Sequence, residues 1–226
     1  MKDLIVVAGA THRHGMLDEY EAQLAAAGID FHLWPLGPLP AGANSINMRR
    51  RIDYIRDAAQ RFYDYSRIVM TDAWDVIFFG SADELMRKLG SFPTVSGERN
   101  CYPEPSLSEK IMGFTPWRFA NNGMLYGSPE ALLGFCLKAE ETSDLNILDQ
   151  AWFNRRLAEG TRLFEVDCAT EIFYVVSSTL ENGALEMSKG RPWNSRCGSF
   201  PMFFHFSGQC PTDRFRALLA GDIQAL

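Results

Sequence analysis

The sequence predicts an α/β protein, with a mostly parallel sheet flanked by helices in a single domain spanning residues 1–226. Three observations lead there. Residues 4–8 (LIVVA) and 67–71 (RIVMT) are short, largely apolar runs of the kind found in strands buried on both faces. Between such runs stand stretches whose apolar residues recur every three or four positions, as on one face of a helix. Finally, 226 residues at 46% hydrophobic content are enough for one sizeable core. A sheet of this class takes its ligands in the crevice outside the carboxyl ends of its strands.

The elements follow in order. Residues 4–8 form the first strand and 16–27 a helix, because Leu17, Tyr20 and Leu24 share a face and Gly28 stops it. Residues 31–34 are strand-like, and LGPLPAGAN after them is a loop. Ser45 is the expected cap of a helix reaching about Phe62, along which Ile52, Ile55, Ala59 and Phe62 recur. The next strand is 67–71. Helices are expected at 82–89, 129–140 and 148–158, and strands at 94–96, 124–126, 163–166, 172–176 and 202–206. Residues 98–122 and 177–200, rich in Pro, Gly, Asn and Ser, read as irregular segments that would carry substrate loops.

Composition removes several functions. Net charge is −6 and the basic residues form no long run, so no nucleic-acid partner is expected. No stretch nears the ~18 apolar residues of a membrane span, and the apolar run in MKDLIVVAGA is too short for a signal peptide. Five widely spaced cysteines without a C-x-x-C pair argue against a disulfide framework or a zinc knuckle and for reduced thiols, hence a cytoplasmic protein. There is no G-x-x-x-x-G-K-[ST], G-x-S-x-G or H-E-x-x-H motif.

The stretch MTDAWDVIFF, residues 70–79, places Asp72 and Asp75 in an otherwise apolar run at the end of a strand. Residues three apart on a strand face opposite ways, so both carboxylates reach one ion only if the chain turns at Ala73-Trp74. Two hard oxygen ligands in a turn suit Mg2+ or Mn2+ bound together with phosphate oxygens. Taken alone, the pair reads better as a turn cap at Asp72 and a solvated acid at Asp75.

Four further segments accompany TDAWDVI: SGERNCYPE (96–104), RFANNGMLYG (118–127), ILDQAWF (147–153) and FFHFSG (203–208). Their order and spacing resemble the glycosyltransferase domain of the procollagen lysyl hydroxylases over nearly the whole chain. That family has the GT-A (Rossmann-like) fold and transfers sugar from a UDP-sugar with Mn2+.

The resemblance implies that Asp72, Asp75 and His205 hold the metal. An imidazole ligand favours Mn2+ over the alternative, Mg2+. His205 in MFFHF would otherwise read as a satisfied core histidine. Trp74 matches the aromatic that stacks on uracil, and Thr11 a uridine contact, although a lone Thr there is also a helix cap. Arg51 and Tyr54 match positions beside the nucleotide, where Arg49 to Arg51 would otherwise be a solvated helix face. Asn121, Asn122 and Gly123 match a loop that lets the donor sugar approach backbone, and Gly208 closes the motif of the late His. Asp149 and Gln150 match an Asp-Asp-Gln element and Glu98 an acid near the donor, giving the expected catalytic residues; Asp149 also reads as a helix-start acid.

Departures are plain. Leu148 stands where the family has an acid, Ser207 replaces an Asn, and a later basic residue is absent unless Arg214 substitutes. The implied function is metal-dependent transfer of a hexose from a UDP-sugar to a hydroxyl acceptor, hydroxylysine or another protein or glycan hydroxyl. The alternatives are a non-catalytic UDP-sugar-binding or scaffold domain and a sugar nucleotidyltransferase. Retention or inversion at the sugar is left open.

Overall fold

The computed structural model describes residues 2–10, 15–37, 46–176, 184–207, 212–222 and 224. In chain order the elements are β1 Lys2–Ala10, α1 Gly15–Ala26, β2 Asp30–Pro35, α2 Met48–Arg61, β3 Tyr65–Asp72, β4 Val76–Phe78, α3 Ala82–Lys88, β5 Thr94–Glu98, β6 Phe119–Gly127, α4 Pro129–Glu140, α5 Asp149–Ala158, β7 Glu165–Asp167, β8 Phe173–Val176, β9 Leu185–Ser188, β10 Arg191–Asn194, β11 Phe203–Phe206 and α6 Asp213–Ala220.

Six strands form the main sheet in the order β2-β1-β3-β6-β5-β7. β1 pairs in parallel with β2 and β3, and β5 with β7; β6 runs antiparallel to both β3 and β5. Side chains alternate across the sheet with period two. Ile5 and Val7 of β1, with Ile68 and Met70 of β3, pack against α2, α4 and α5 through Ile52, Ile55, Phe135 and Trp152. Leu4, Val6, Ala8 and Val69 point the other way, toward Leu17, Tyr20 and Leu24 of α1 and Leu85 of α3. Burying one such leucine fully is worth roughly 1.5–3 kcal/mol, so each alternation defect is costly.

A second sheet, β4-β11-β8, was not anticipated as a separate layer. Phe173, Val175 and Phe203 bind it to the face that holds α1, while Ile77, Tyr174, Phe204 and Phe206 face α6 through Phe215 and Leu218. Within it, His205 is in register with Val76 of β4 and Val175 of β8.

Several expectations need correction. The cap of α2 is Asn47, whose side chain accepts from Arg50 N at 3.0 Å; Ser45 lies outside the described residues. β6 begins at Phe119, five residues earlier than expected, so Asn121, Asn122 and Gly123 lie on a strand instead of in a loop. The polar side chain of Asn121 is tolerated there because it is hydrogen-bonded within the sheet. Part of 177–200 is a hairpin, β9 with β10, turning at Lys189 and Gly190, both at positive φ.

Candidate active site

β3 ends at Asp72, the backbone bends through residues 73–75, and β4 starts at Val76. The bend makes up for the strand parity: Asp72 and Asp75 now reach the same point. β11 lies alongside, fixed by a hydrogen bond from Phe206 N to the Asp75 carbonyl at 2.8 Å. This brings His205 Nε2 to 3.5 Å from Asp72 Oδ2 and 3.3 Å from Asp75 Oδ2. One ligand atom from each of the three residues lies within 4.8 Å of the others. His205 is 4% exposed, while Asp72 keeps 40% of its side-chain surface open to solvent.

Behind the imidazole runs a buried polar chain. Nδ1 of His205 lies 3.2 Å from Oδ1 of Asn121, which also accepts from Gly123 N at 3.0 Å. The Asn121 amide donates to Glu98 Oε2 at 2.7 Å, and Gln150 Nε2 donates to Glu98 Oε1 at 2.8 Å. Gly123 makes room: a Cβ there would stand 2.2 Å from His205 Cε1 and 3.0 Å from Asp72 Oδ2. Gln150 N donates to Asp149 Oδ1, and Asp149 Oδ2 accepts from Arg51 Nε, both at 2.9 Å. Asp149 is fully buried at the start of α5, and Arg51 nearly so. The solvated-face reading of Arg51 is thereby corrected: α2 turns this guanidinium inward, where it pairs with the Asp149 carboxylate.

The charges bias one another. Burial disfavours the charge on His205, but Asp75, Asp72 and Glu98 outweigh it and hold the imidazole up at about 9. Burial pushes Glu98 up to about 7, against the pull of the Asn121 and Gln150 amides. Burial likewise raises Asp72 above the usual carboxylate range, tempered by the solvent that reaches it. Four carboxylates, Asp72, Asp75, Glu98 and Asp149, thus share two cationic side chains, and Asp72 and Asp75 have the open side of the group.

The remaining expected residues divide. Trp74, in the bend, is half-buried against the α1 side of the core. Tyr54 is buried and donates from its hydroxyl to the Val7 carbonyl at 3.2 Å. Asn122 is buried on β6. Leu148, 38% exposed, precedes α5 without a side-chain cap, and Arg214 is exposed on α6. Thr11 and Gly208 lie outside the described residues. Ser96, the first residue of SGERN, donates to the Asn121 carbonyl at 2.8 Å. Asn154 was missed altogether: it holds both backbone groups of Ala120 and the carbonyls of Tyr102 and Gln150. A buried Asn on an apolar helix face was its only signal.

This arrangement of sheets and helices is that of a GT-A glycosyltransferase. The galactosyltransferase LgtC, solved with donor and acceptor sugar analogs, is similar in fold, with a TM-score of 0.55 and 14% identity covering 99% of this chain and 97% of that one. A glycosyltransferase involved in glycosylation of the major capsid of PBCV-1 is similar at a TM-score of 0.51 and 12% identity, covering 95% and 98%. Residues 1–213 match the family model of the PLOD GT domain, and the chain belongs to that family. It is also 24% identical, over 165 residues and 70% of its length, to an uncharacterized protein of Acanthamoeba polyphaga mimivirus, of which it spans 35%. No helix among the described residues is long and apolar enough to cross a membrane.

Proposed function

We propose that the chain is a metal-dependent glycosyltransferase that moves a hexose from a UDP-sugar to a hydroxyl acceptor on a protein or glycan, hydroxylysine being the acceptor that its family suggests. The observation that carries the proposal is the meeting of Asp72, Asp75 and His205 at the carboxyl end of β3. Two carboxylates and a neutral imidazole are a donor set that Mn2+ accepts, and excess negative charge at the open side favours a cation. Those three residues would hold the ion. When bound, it supplies positive charge that stabilises the departing diphosphate.

The chain's own side chains do the rest. Trp74, at the bend, offers its open side to the uracil. Asn121, Asn122 and Gly123 form the strand floor against which the donor sugar rests. Asp149 has a partner on each oxygen and no exposed surface, which favours a role in fixing Arg51 and the start of α5 over proton abstraction from the acceptor. Free thiols at Cys101, Cys136, Cys168 and Cys197 fit a cytoplasmic setting. An exposed Leu148 in place of the family's acid favours the second reading, a UDP-sugar-binding domain without turnover.

Melting curves with UDP, Mn2+, both and neither test the first step. A ligand at ~100 times its dissociation constant adds roughly 2.7 kcal/mol of stability. The expected result is a shift that needs both ligands and is lost in Asp72→Ala and Asp75→Ala, with UDP released from a UDP-sugar by the parent only. Absence of a shift at saturating ligand overturns the proposal; a shift without UDP release favours the binding domain.

A further inference from the structure

We infer that Asn121 and Glu98 are positioning residues for the metal ligand His205: a carboxylate two residues removed from the imidazole decides which nitrogen of the ring faces the cleft. This rests on the metal reading above.

The argument is one of hydrogen-bond polarity. Ionised Glu98 is an acceptor only, and in the observed geometry it receives Asn121 Nδ2 on one oxygen and Gln150 Nε2 on the other. The Asn121 amide is therefore turned so that its NH2 meets Glu98 and its Oδ1 points the other way. Gly123 N fixes the same orientation independently by donating to that Oδ1. A flipped amide would set NH2 against N–H at Gly123 and oxygen against oxygen at Glu98. With Oδ1 facing the ring, Nδ1 of His205 must carry its proton toward Asn121. Nε2 is then the lone-pair nitrogen when the ring is neutral, and it is the nitrogen that lies 3.5 and 3.3 Å from the Asp72 and Asp75 oxygens. The missing Cβ at Gly123 lets the ring stand against β6 in this pose. Asn121 and Glu98 are both buried, so water does not replace either bond.

The same logic supplies a rescue. Asn121→Asp alone puts two carboxylates face to face, and Glu98→Gln alone leaves one amide NH2 without its acceptor. In the double variant every bond returns and only the one between 98 and 121 is reversed: the amide introduced at 98 donates to the carboxylate introduced at 121 and still accepts from Gln150, and the carboxylate still accepts from Gly123 N and His205 Nδ1.

The test is titration of MnCl2, with saturating UDP and without, into parent, Asn121→Ala, Asn121→Asp, Glu98→Gln and the Glu98→Gln/Asn121→Asp pair. Melting curves without metal accompany each. Removing an outer hydrogen-bond partner of a ligating histidine typically costs 10–100-fold in metal affinity. That loss is expected in the single variants, with recovery in the double variant. A merely structural role would lower melting temperature without a rescue that tracks Mn2+ affinity. Parent-like Mn2+ affinity in Asn121→Ala, or a double variant no tighter than the singles, overturns the positioning role and leaves the metal site standing. Failure of the parent to take up Mn2+ under either condition overturns both.

Discussion

Arg51 and Asp149, far apart in sequence, meet beneath the cleft with 2.9 Å between Nε and Oδ2, and neither has appreciable contact with solvent. A charge in such a place depends on its partner. Removing one member of a buried pair typically costs about 3–5 kcal/mol, because the other is left uncompensated. Arg51→Ala is accordingly expected to lower unfolding free energy by that order, and Arg51→Ala/Asp149→Ala together by less than the sum of the two single changes. Urea unfolding of the four proteins decides; strict additivity would show that the two side chains act independently.

Gly123→Ala is expected to act on the site through sterics alone. Its new methyl would fall 2.2 Å from His205 Cε1, so either the ring or β6 must move. Overpacking of this kind costs about 1–3 kcal/mol. The UDP- and Mn2+-dependent melting shift should disappear while a cooperative transition survives. A full ligand shift in the variant would mean that the ring moves aside without leaving the site.

Glu98 gives the metal-free protein a pH dependence of known sign. Its pKa lies at about 7, above its unfolded value. The stability it contributes is complete below the unfolded pKa of ~4.3 and is lost as pH rises through the folded one. Between about pH 5 and pH 8 the parent should therefore lose melting temperature relative to Glu98→Gln, which cannot ionise. Parallel profiles would remove Glu98 as the cause.

Asn154 ties α5 to β6 and to the segment after Cys101 by three hydrogen bonds. Asn154→Leu strands Ala120 N, which is buried, and should cost at least the ~1–3 kcal/mol of an unsatisfied polar group. Hydrogen exchange should quicken first in residues 101–104 and at Ala120. Exchange that quickens equally everywhere would point to a global effect instead.

Much of this was readable in the sequence, and the parts that were not share a physical reason. β1 and β3 announce themselves as continuous apolar runs, and α1 by apolar side chains that recur with the period of a helix. Asp72 and Asp75 were conspicuous as charges in an apolar run. His205 was not: in MFFHF only the pairing of β11 with β4 distinguishes a ligand from a core histidine. Asn121-Asn122-Gly123 looks like a turn because Asn and Gly favour turns, whereas the strand exists through its backbone pairing with β5 and β3. The hairpin at Lys189-Gly190 lacks the Asn-Gly signature of its turn. Local pattern reveals elements; polar groups satisfied across the fold become visible only when the fold is assembled.

The small sheet also acts as a gauge. His205 sits opposite Val76, one residue past Asp75, and its neighbours Phe204 and Phe206 face the other side, toward α6. Slippage of β11 by a single residue would turn a phenyl ring toward the aspartates and drive the imidazole into an aromatic layer. Insertions or deletions flanking β4 or β11 are therefore a more effective way to silence this protein than many changes in the cleft itself. They could leave every cleft residue in the sequence and still misalign the site, much as a key cut one notch off still fits the keyway but turns nothing.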